Sequence, residues 1–379
     1  MKGRILLLSA FLLLFLAGTA WGQAIKIGFF APLTGFAAAD GKSATVAARL
    51  AVKEINEAGG IGGRPVELVV YDDRADPKEA VAIATKLIEL DKVTAAVSGS
   101  YSGATRAASP IFQKAGIPMI AAYAVHPEIT RTGDFIFRAS ILGPIQGRGG
   151  AHVAKRLGAR TASLLIMDND FGRTLAANFK EEATRLGIKV ISEDAYPLGE
   201  KEFTPLLTKL KGLNPDLVYA TAYYAEAAQI ARQSRAIGLK SQILGQEGYD
   251  SPKFLELAGP AADGVIITTT LNRDDPRDIV KRFMANYKRD AGVEADMVGA
   301  SAYDAVRVMA EAIRRGGTDP RAIRDTIYKL KNFEGVTGLI RGWNRIGEIV
   351  KPLQVQRVTG GRFTYFAELS DPALITPPE

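Results

Sequence analysis

Strand-like and helix-like segments alternate along this chain at the spacing of βαβ units, and the alternation runs twice, on either side of a glycine-rich stretch. Together these features predict an α/β protein with two parallel-sheet units and helices on both faces of each sheet. Length agrees with two units. Of 379 residues, about 357 remain once a 22-residue leader is set aside, more than a single hydrophobic core usually serves.

The leader is "MKGRILLLSAFLLLFLAGTAWG": Lys2 and Arg4, an apolar run over 5–16, then the small residues Ala20 and Gly22. That is the pattern of a secretory signal peptide cleaved after Gly22. The apolar run is well short of the ~20 residues that span a bilayer, and no later segment is longer, so the rest is expected to be a soluble exported protein. The chain contains no cysteine. A disulfide framework and a lipid-modified cysteine are thereby excluded, and stability must come from buried core. Of the formal charge of +7, the leader supplies two, leaving +5 spread among acidic residues. Nothing there supports nucleic-acid binding.

The first unit opens with "AIKIGFFAP", a buried strand. A helix over 41–57 follows, stopped at "EAGGIGG" by a glycine C-cap. "PVELVVYDD" is a strand. "DPKEAVAIATKLIEL" is a helix with Asp76 as N-cap, Pro77 in the first helical position and Glu79 closing a capping box. "VTAAVSGS" is a strand, "SGATRAASPIFQKAG" a helix and "IPMIAAYA" a strand. After "DFIFRAS" and the glycine-rich "ILGPIQGRGG", a second series begins at "TASLLIMDND" and runs through "FGRTLAANFKEEATRLG", "IKVISEDAY", "EFTPLLTKLKGL", "DLVYATAYY", "AEAAQIARQSRAIG" and "SQILGQEG". Beyond Thr270 the chain turns helical, then ends in strands with a hairpin around Gly360 and Gly361.

In open parallel sheets ligands lie outside the carboxyl ends of the strands, so residues just after strands are the candidates. The turn "VSGSYSG" is one such place. A nucleophile elbow needs serine at the centre of glycine-x-serine-x-glycine, whereas here the centre is Tyr101. A looser hydrolase pairs Ser100 or Ser102 with His126. The chain has two histidines, and the other, His152, falls in a helical stretch. No histidine or cysteine pair has metal-ligand spacing, so neither a metal nor a cofactor is expected. "GGIGG" follows a helix rather than a strand, which is wrong for a dinucleotide fingerprint. For Ser102 two readings stand. It caps its own helix, or it joins the free N–H groups of that helix start in holding a ligand carboxylate.

"INEAGGIGGRPVELVVYDDRADPKEAV", with "APLTG" near the start and "LGQEG" late in the chain, resembles the periplasmic leucine/isoleucine/valine-type binding proteins of ABC importers. The likeness runs over nearly all of the chain after the leader. It implies a type I periplasmic binding fold: two lobes joined by a three-crossover hinge, closing like a Venus flytrap on a ligand in the cleft. With crossovers near Leu142, Leu271 and Val350, lobe 1 is 23–142 with 272–350, and lobe 2 is 143–271 with 351–379.

The resemblance further implies that Ser102 holds an amino acid's carboxylate, with Tyr101 beside it. The loop after the next strand gives such ligands a backbone carbonyl and a threonine. Here it reads "AAYAV", so Tyr123 and Val125 stand in those places and a hydroxyl is lost. Glu247 in "GQEG" matches the acid that pairs with the ammonium, or is a solvated loop carboxylate. Tyr223 and Phe171 match aromatic lining positions, or pack near strand ends. Asp40 stands where an aromatic residue is common. It caps the following helix or adds a second negative charge to the cleft, in which case specificity is not purely aliphatic.

The resulting expectation is a monomeric periplasmic protein, not an enzyme, that captures an amino acid of branched-chain type or a related small solute and delivers it to an ABC permease. The alternatives are a receptor for another carboxylate or amide, such as an aromatic acid or a urea-like solute, a secreted hydrolase using Ser102 and His126, and a sensor domain.

Overall fold

The computed structural model describes residues 23–378; the expected leader, 1–22, lies outside them. Among the described residues no helix is long and apolar enough to cross a membrane.

The first sheet is built from β1 (Ile25–Ala31), β2 (Val66–Asp72), β3 (Ala95–Ser98), β4 (Met119–Ala121) and β5 (Ile136–Arg138), in the order β2-β1-β3-β4-β5. Every neighbouring pair is parallel. The buried run of β1 is what a central strand covered on both faces requires. The connecting helices are α1 (Ala38–Glu57), α2 (Pro77–Glu89) and α3 (Ser102–Ala115). Helix α1 starts three residues before the expected Gly41. Its C-cap is Ala58 rather than a glycine, and the glycines come just after it. Gly60 has φ +72°, and a Cβ there would lie 2.1 Å from the Arg64 carbonyl oxygen, so only glycine makes this reversal. Asp76 caps α2 by accepting from the Lys78 and Glu79 backbone N–H groups. The capping box does not close, because the Asp76 N–H donates to the Asp73 carbonyl instead.

The second sheet follows through α4 (Gly143–Arg156), β6 (Thr161–Met167), α5 (Asp170–Arg185), β7 (Lys189–Tyr196), α6 (Thr204–Leu213), β8 (Leu217–Thr221), α7 (Tyr224–Ala236), β9 (Gln242–Gly245), α8 (Pro252–Ala258) and β10 (Ile266–Thr269). Three helices come next: α9 (Asp278–Ala291), α10 (Met297–Gly316) and α11 (Pro320–Lys329). The small hairpin of β11 (Phe333–Gly335) and β12 (Gly338–Ile340) precedes β13 (Leu353–Thr359) and β14 (Arg362–Leu369). The order is β14-β13-β10-β9-β8-β6-β7. This sheet is not wholly parallel: β13 runs antiparallel to β10, and β14 antiparallel to β13. Two strands joined by a two-residue Gly360-Gly361 turn with both φ positive can pair only as a hairpin.

The glycine-rich stretch expected as a connector is mostly helix α4. Glycine inside a helix is disfavoured by about 1 kcal/mol relative to alanine, yet here it permits close packing. A Cβ at Gly147 would lie 2.5 Å from the Leu175 carbonyl oxygen, and one at Gly149 would lie 2.2 Å from a Leu353 methyl. Helix α4 therefore lies almost backbone to side chain against its neighbours.

Helices α9 and α10 return to pack on α1, and α10 also touches β3 and β4. The chain thus passes between the two sheets after β5, after β10 and between β12 and β13. Buried polar groups fasten these passages. Arg138 pairs with Glu348 (Nε to Oε2, 2.9 Å), Trp343 Nε1 donates to the Arg138 carbonyl, and Lys351 Nζ donates to the Ala139 carbonyl and to Thr337 Oγ1. Isolated charges at this depth would be costly, and paired ones specify a single arrangement of the crossing segments.

Candidate ligand-binding cleft

The residues singled out by position after a strand or by the family resemblance converge between the two sheets. Asp40, Tyr101, Ser102 and Tyr123 come from the first sheet's side and Phe171, Tyr223 and Glu247 from the second's. All seven line one void of about 20 Å³. Each lies at or near a strand's carboxyl end, or in the first turn of the helix that follows, where parallel sheets open their clefts.

Local chemistry sets each one. Tyr101 occupies the N-cap position of α3 without a side-chain cap bond, so Ser102 is the first helical residue and does not cap its own helix. Its Oγ instead accepts the Val125 N–H (3.2 Å). Tyr123 donates its hydroxyl to the Gly99 carbonyl (2.6 Å), which holds the ring upright over the β3 turn. Asn169 caps α5 by accepting the Gly172 N–H and so sets Phe171 in the first turn. The Gln246 side chain accepts the Gly248 N–H (2.8 Å) and donates to the Ala222 carbonyl (3.2 Å), tying the turn that carries Glu247 to the end of β8. Gly248 is required there, because a Cβ would lie 2.2 Å from the Ala222 oxygen.

Three aromatic rings form a stack that bridges the sheets. Tyr101 lies on Tyr223 with centroids 4.0 Å apart and planes 10° from parallel, and Phe171 lies on the other side of Tyr223 at 4.9 Å. Tyr123 meets Tyr101 edge-on. Burial first, and then the Asp40 carboxyl, push the Tyr101, Tyr123 and Tyr223 phenols well above their usual range, so they remain protonated donors. Two further contacts cross the cleft at its rim: Tyr224 Oη donates to the Phe36 carbonyl (2.8 Å), and Arg106 pairs with Asp170 (3.0 Å). The Phe36 ring, 48% exposed, sits 6.0 Å from that of Tyr101.

Two acids face the void, each only 3% exposed. Asp40 does not cap α1, whose N-cap is Ala37. Its Oδ2 accepts the Tyr101 hydroxyl (2.7 Å), and its Oδ1 has no partner. Burial, reinforced by Asp296, pushes its pKa up to about 8 against the Tyr101 hydrogen bond. Glu247 is not a solvated loop carboxylate. It sits in a buried turn and its Oε2 accepts from Gln146 Nε2 (2.8 Å). Burial pushes it up to about 8 as well, opposed by Gln146 and by the charges of Lys351 and Arg138.

Val125 does not reach the void. Its N–H goes to Ser102 and its carbonyl accepts the Gly143 N–H (3.0 Å), so its backbone is spent joining the loop to α4, and Ala124 lines the void in its place. Met297 and Val298, at the start of α10, also line it. Asp296 caps that helix, accepting from the Gly299 N–H and from Ser43 Oγ. An aspartate before an apolar helix is a readable N-cap, but only the packing of α10 on α1 brings residue 297 to residue 40.

The hydrolase pairing is not assembled. Ser102 Oγ takes the Val125 N–H, whereas His126 Nδ1 accepts from Glu128 N (3.2 Å), and burial lowers the imidazole pKa. Among the described residues no histidine, cysteine, aspartate or glutamate group is placed to hold a metal ion.

The family model described as periplasmic binding protein matches residues 24–362. A leucine-, isoleucine-, valine-, threonine- and alanine-binding protein of Pseudomonas aeruginosa is 32% identical over 331 residues, covering 86% of this chain and 87% of that one. Among solved structures, a leucine-binding protein of Thermotoga maritima is similar at 30% identity and a TM-score of 0.86, covering 92% of this chain and all of that one. A branched-chain amino acid transporter substrate-binding protein of Streptococcus pneumoniae in complex with isoleucine is similar at 30% identity and a TM-score of 0.84, covering 91% and 98%.

Proposed function

The chain belongs to the periplasmic binding protein family, and from that premise we propose that it captures an amino acid between its two lobes and hands it to an ABC permease. The observation that carries the reading is the pairing of Ser102 and Glu247 across one void. Ser102 opens α3 with its hydroxyl proton uncommitted to any protein acceptor among the described residues. That proton and the free N–H groups of the first turn suit a carboxylate. Glu247, on the other sheet's side, suits the α-ammonium. The amino acids named for the Pseudomonas and Streptococcus relatives support the same ligand class.

No bond is made or broken in this function. A ligand touching both lobes stabilises the closed form by its greater affinity for that form. The lobes are residues 23–142 with 272–350, and 143–271 with 351–379, and they hinge at the three passages fastened by Arg138, Glu348 and Lys351. The Tyr101–Tyr223 contact is the seam that yields as a ligand seats, since these two rings stack directly across the cleft, 4.0 Å apart. The protein acts as a monomer in the periplasm, exported by its leader.

A thermal-shift screen of the mature chain against amino acids, amides and aromatic acids tests this reading. A true ligand raises the melting temperature by mass action and makes the protein more compact in small-angle scattering. Stabilisation by aromatic acids or amides alone would replace the amino acid with one of those classes.

A further inference from the structure

Asp40 is the polar side chain that amino-acid capture by Ser102 and Glu247 leaves without a task. It lines the void and is 3% exposed, with one carboxyl oxygen held by Tyr101 at 2.7 Å and the other unpartnered. The charges that act on it are themselves acids, Asp296 and Asp250. Asp296, at the start of α10, is occupied by Ser43 and Gly299. Asp250 is occupied by Arg273 and by Thr269 Oγ1. The other titratable groups around Asp40 are the phenols of Tyr101, Tyr123, Tyr223 and Tyr224. Arg273, the cation that acts on Asp296, is already claimed by Asp250. The neighbours that share the wall, Met297 and Val298, are apolar.

A buried acceptor without a donor is unfavourable, and the void is where a donor can reach it. We propose that Asp40 is a second acidic anchor, and that the ligand is a short amino acid whose side chain carries an O–H or N–H donor, from a hydroxyl, amide or amine, to Asp40 Oδ1. The proposal rests on the amino-acid reading of the cleft. Tyr101 holds Asp40 in place through Oδ2 and also stacks on Tyr223, so the anchor moves with the seam between the lobes. An aliphatic side chain of the same shape leaves Oδ1 unpaired against it, and the site discriminates against that ligand. Desolvation favours the neutral carboxyl at Asp40. A ligand donor at Oδ1 opposes this by favouring the form in which both oxygens accept, and an amine, which also brings a positive charge, does so most strongly.

The test uses near-isosteric pairs, threonine against valine and asparagine against leucine, with 2,4-diaminobutyrate as the cationic member. Calorimetry is run on the wild type, Asp40→Asn and Asp40→Leu, with circular dichroism and melting temperature checking the fold. In the wild type the donor-bearing member of each pair is expected to bind about ten-fold or more tightly than its aliphatic partner, and Asp40→Leu to abolish or reverse that preference. Asp40→Asn, which keeps an acceptor oxygen, is expected to retain threonine and asparagine binding and to lose diaminobutyrate. Equal binding of valine and threonine by the wild type, or a preference that survives Asp40→Leu, overturns the proposal and leaves the amino-acid reading standing. Binding of none of these ligands nor of any other amino acid overturns both.

Discussion

Asp40 and Glu247 reach nearly the same state in different surroundings. Both are buried and both are pushed up to about 8. Around Glu247 the push is opposed by a fixed amide donor and by two cations, Lys351 and Arg138. Around Asp40 it is opposed by a phenol, while Asp296 and Asp250 add to it. The cleft therefore has one end prepared to become an anion and one end that becomes an anion only if the ligand brings the compensating charge. What surrounds a buried acid decides how much a ligand must bring to ionise it.

The largest expected effect breaks the comparison at its prepared end. Truncating one member of a buried, hydrogen-bonded charge pair costs about 2–5 kcal/mol, so Glu247→Ala is expected to weaken binding of the best amino acid roughly thirty-fold to several-thousand-fold. Calorimetry reads it, and a loss under about three-fold would remove Glu247 from the ammonium site.

A smaller effect appears in stability without ligand. A carboxyl whose native pKa is raised holds its proton more tightly in the folded state, so its contribution is complete below the unfolded value of about 4 and is lost as pH rises toward 8. Asp73 and Asp296 are pushed only to about 6, whereas Asp40 and Glu247, pushed to about 8, extend the fall over pH 6–8. The melting temperature of the wild type is expected to drop across that window, and that of Asp40→Asn to drop less. Parallel curves would show that Asp40 does not titrate there.

The smallest effect comes from an exposed ion pair used as a control. Arg106 and Asp170 join the lobes at the rim with side chains 47% and 30% exposed, where ion pairs contribute ~0–1 kcal/mol. Arg106→Ala is expected to change affinity less than about five-fold and to reduce its salt dependence. A loss as large as that for Glu247 would make the rim, not the buried acids, the source of closure energy.

Ser102 was legible because parallel sheets expose the residues that follow their strands; Phe171, Tyr223 and Glu247 were legible through the family resemblance, and each also follows a strand of plain periodicity. What was not legible depends on contacts distant in sequence. Val125 turns inward because its carbonyl meets Gly143, a residue that reads as a loop glycine until α4 is seen packed on α5. Met297 and Val298 enter through the docking of α10 on α1, which no local pattern specifies. The antiparallel edge of the second sheet follows from a chain that returns to lobe 2 only for its last two long strands. For Asp40 two roles stood open, and the N-cap at Ala37 together with the bond to Tyr101 separated them.

The absence of cysteine has a practical consequence at Phe36. A thiol introduced there would be the sole one in the chain and would couple to a maleimide dye without side reaction at other residues. It would stand on the rim, beside the Tyr101 ring and the Tyr224 contact that joins the lobes. A dye at that place changes its surroundings each time the seam opens or closes, which turns the protein into an optical reporter of its own ligand with a single substitution.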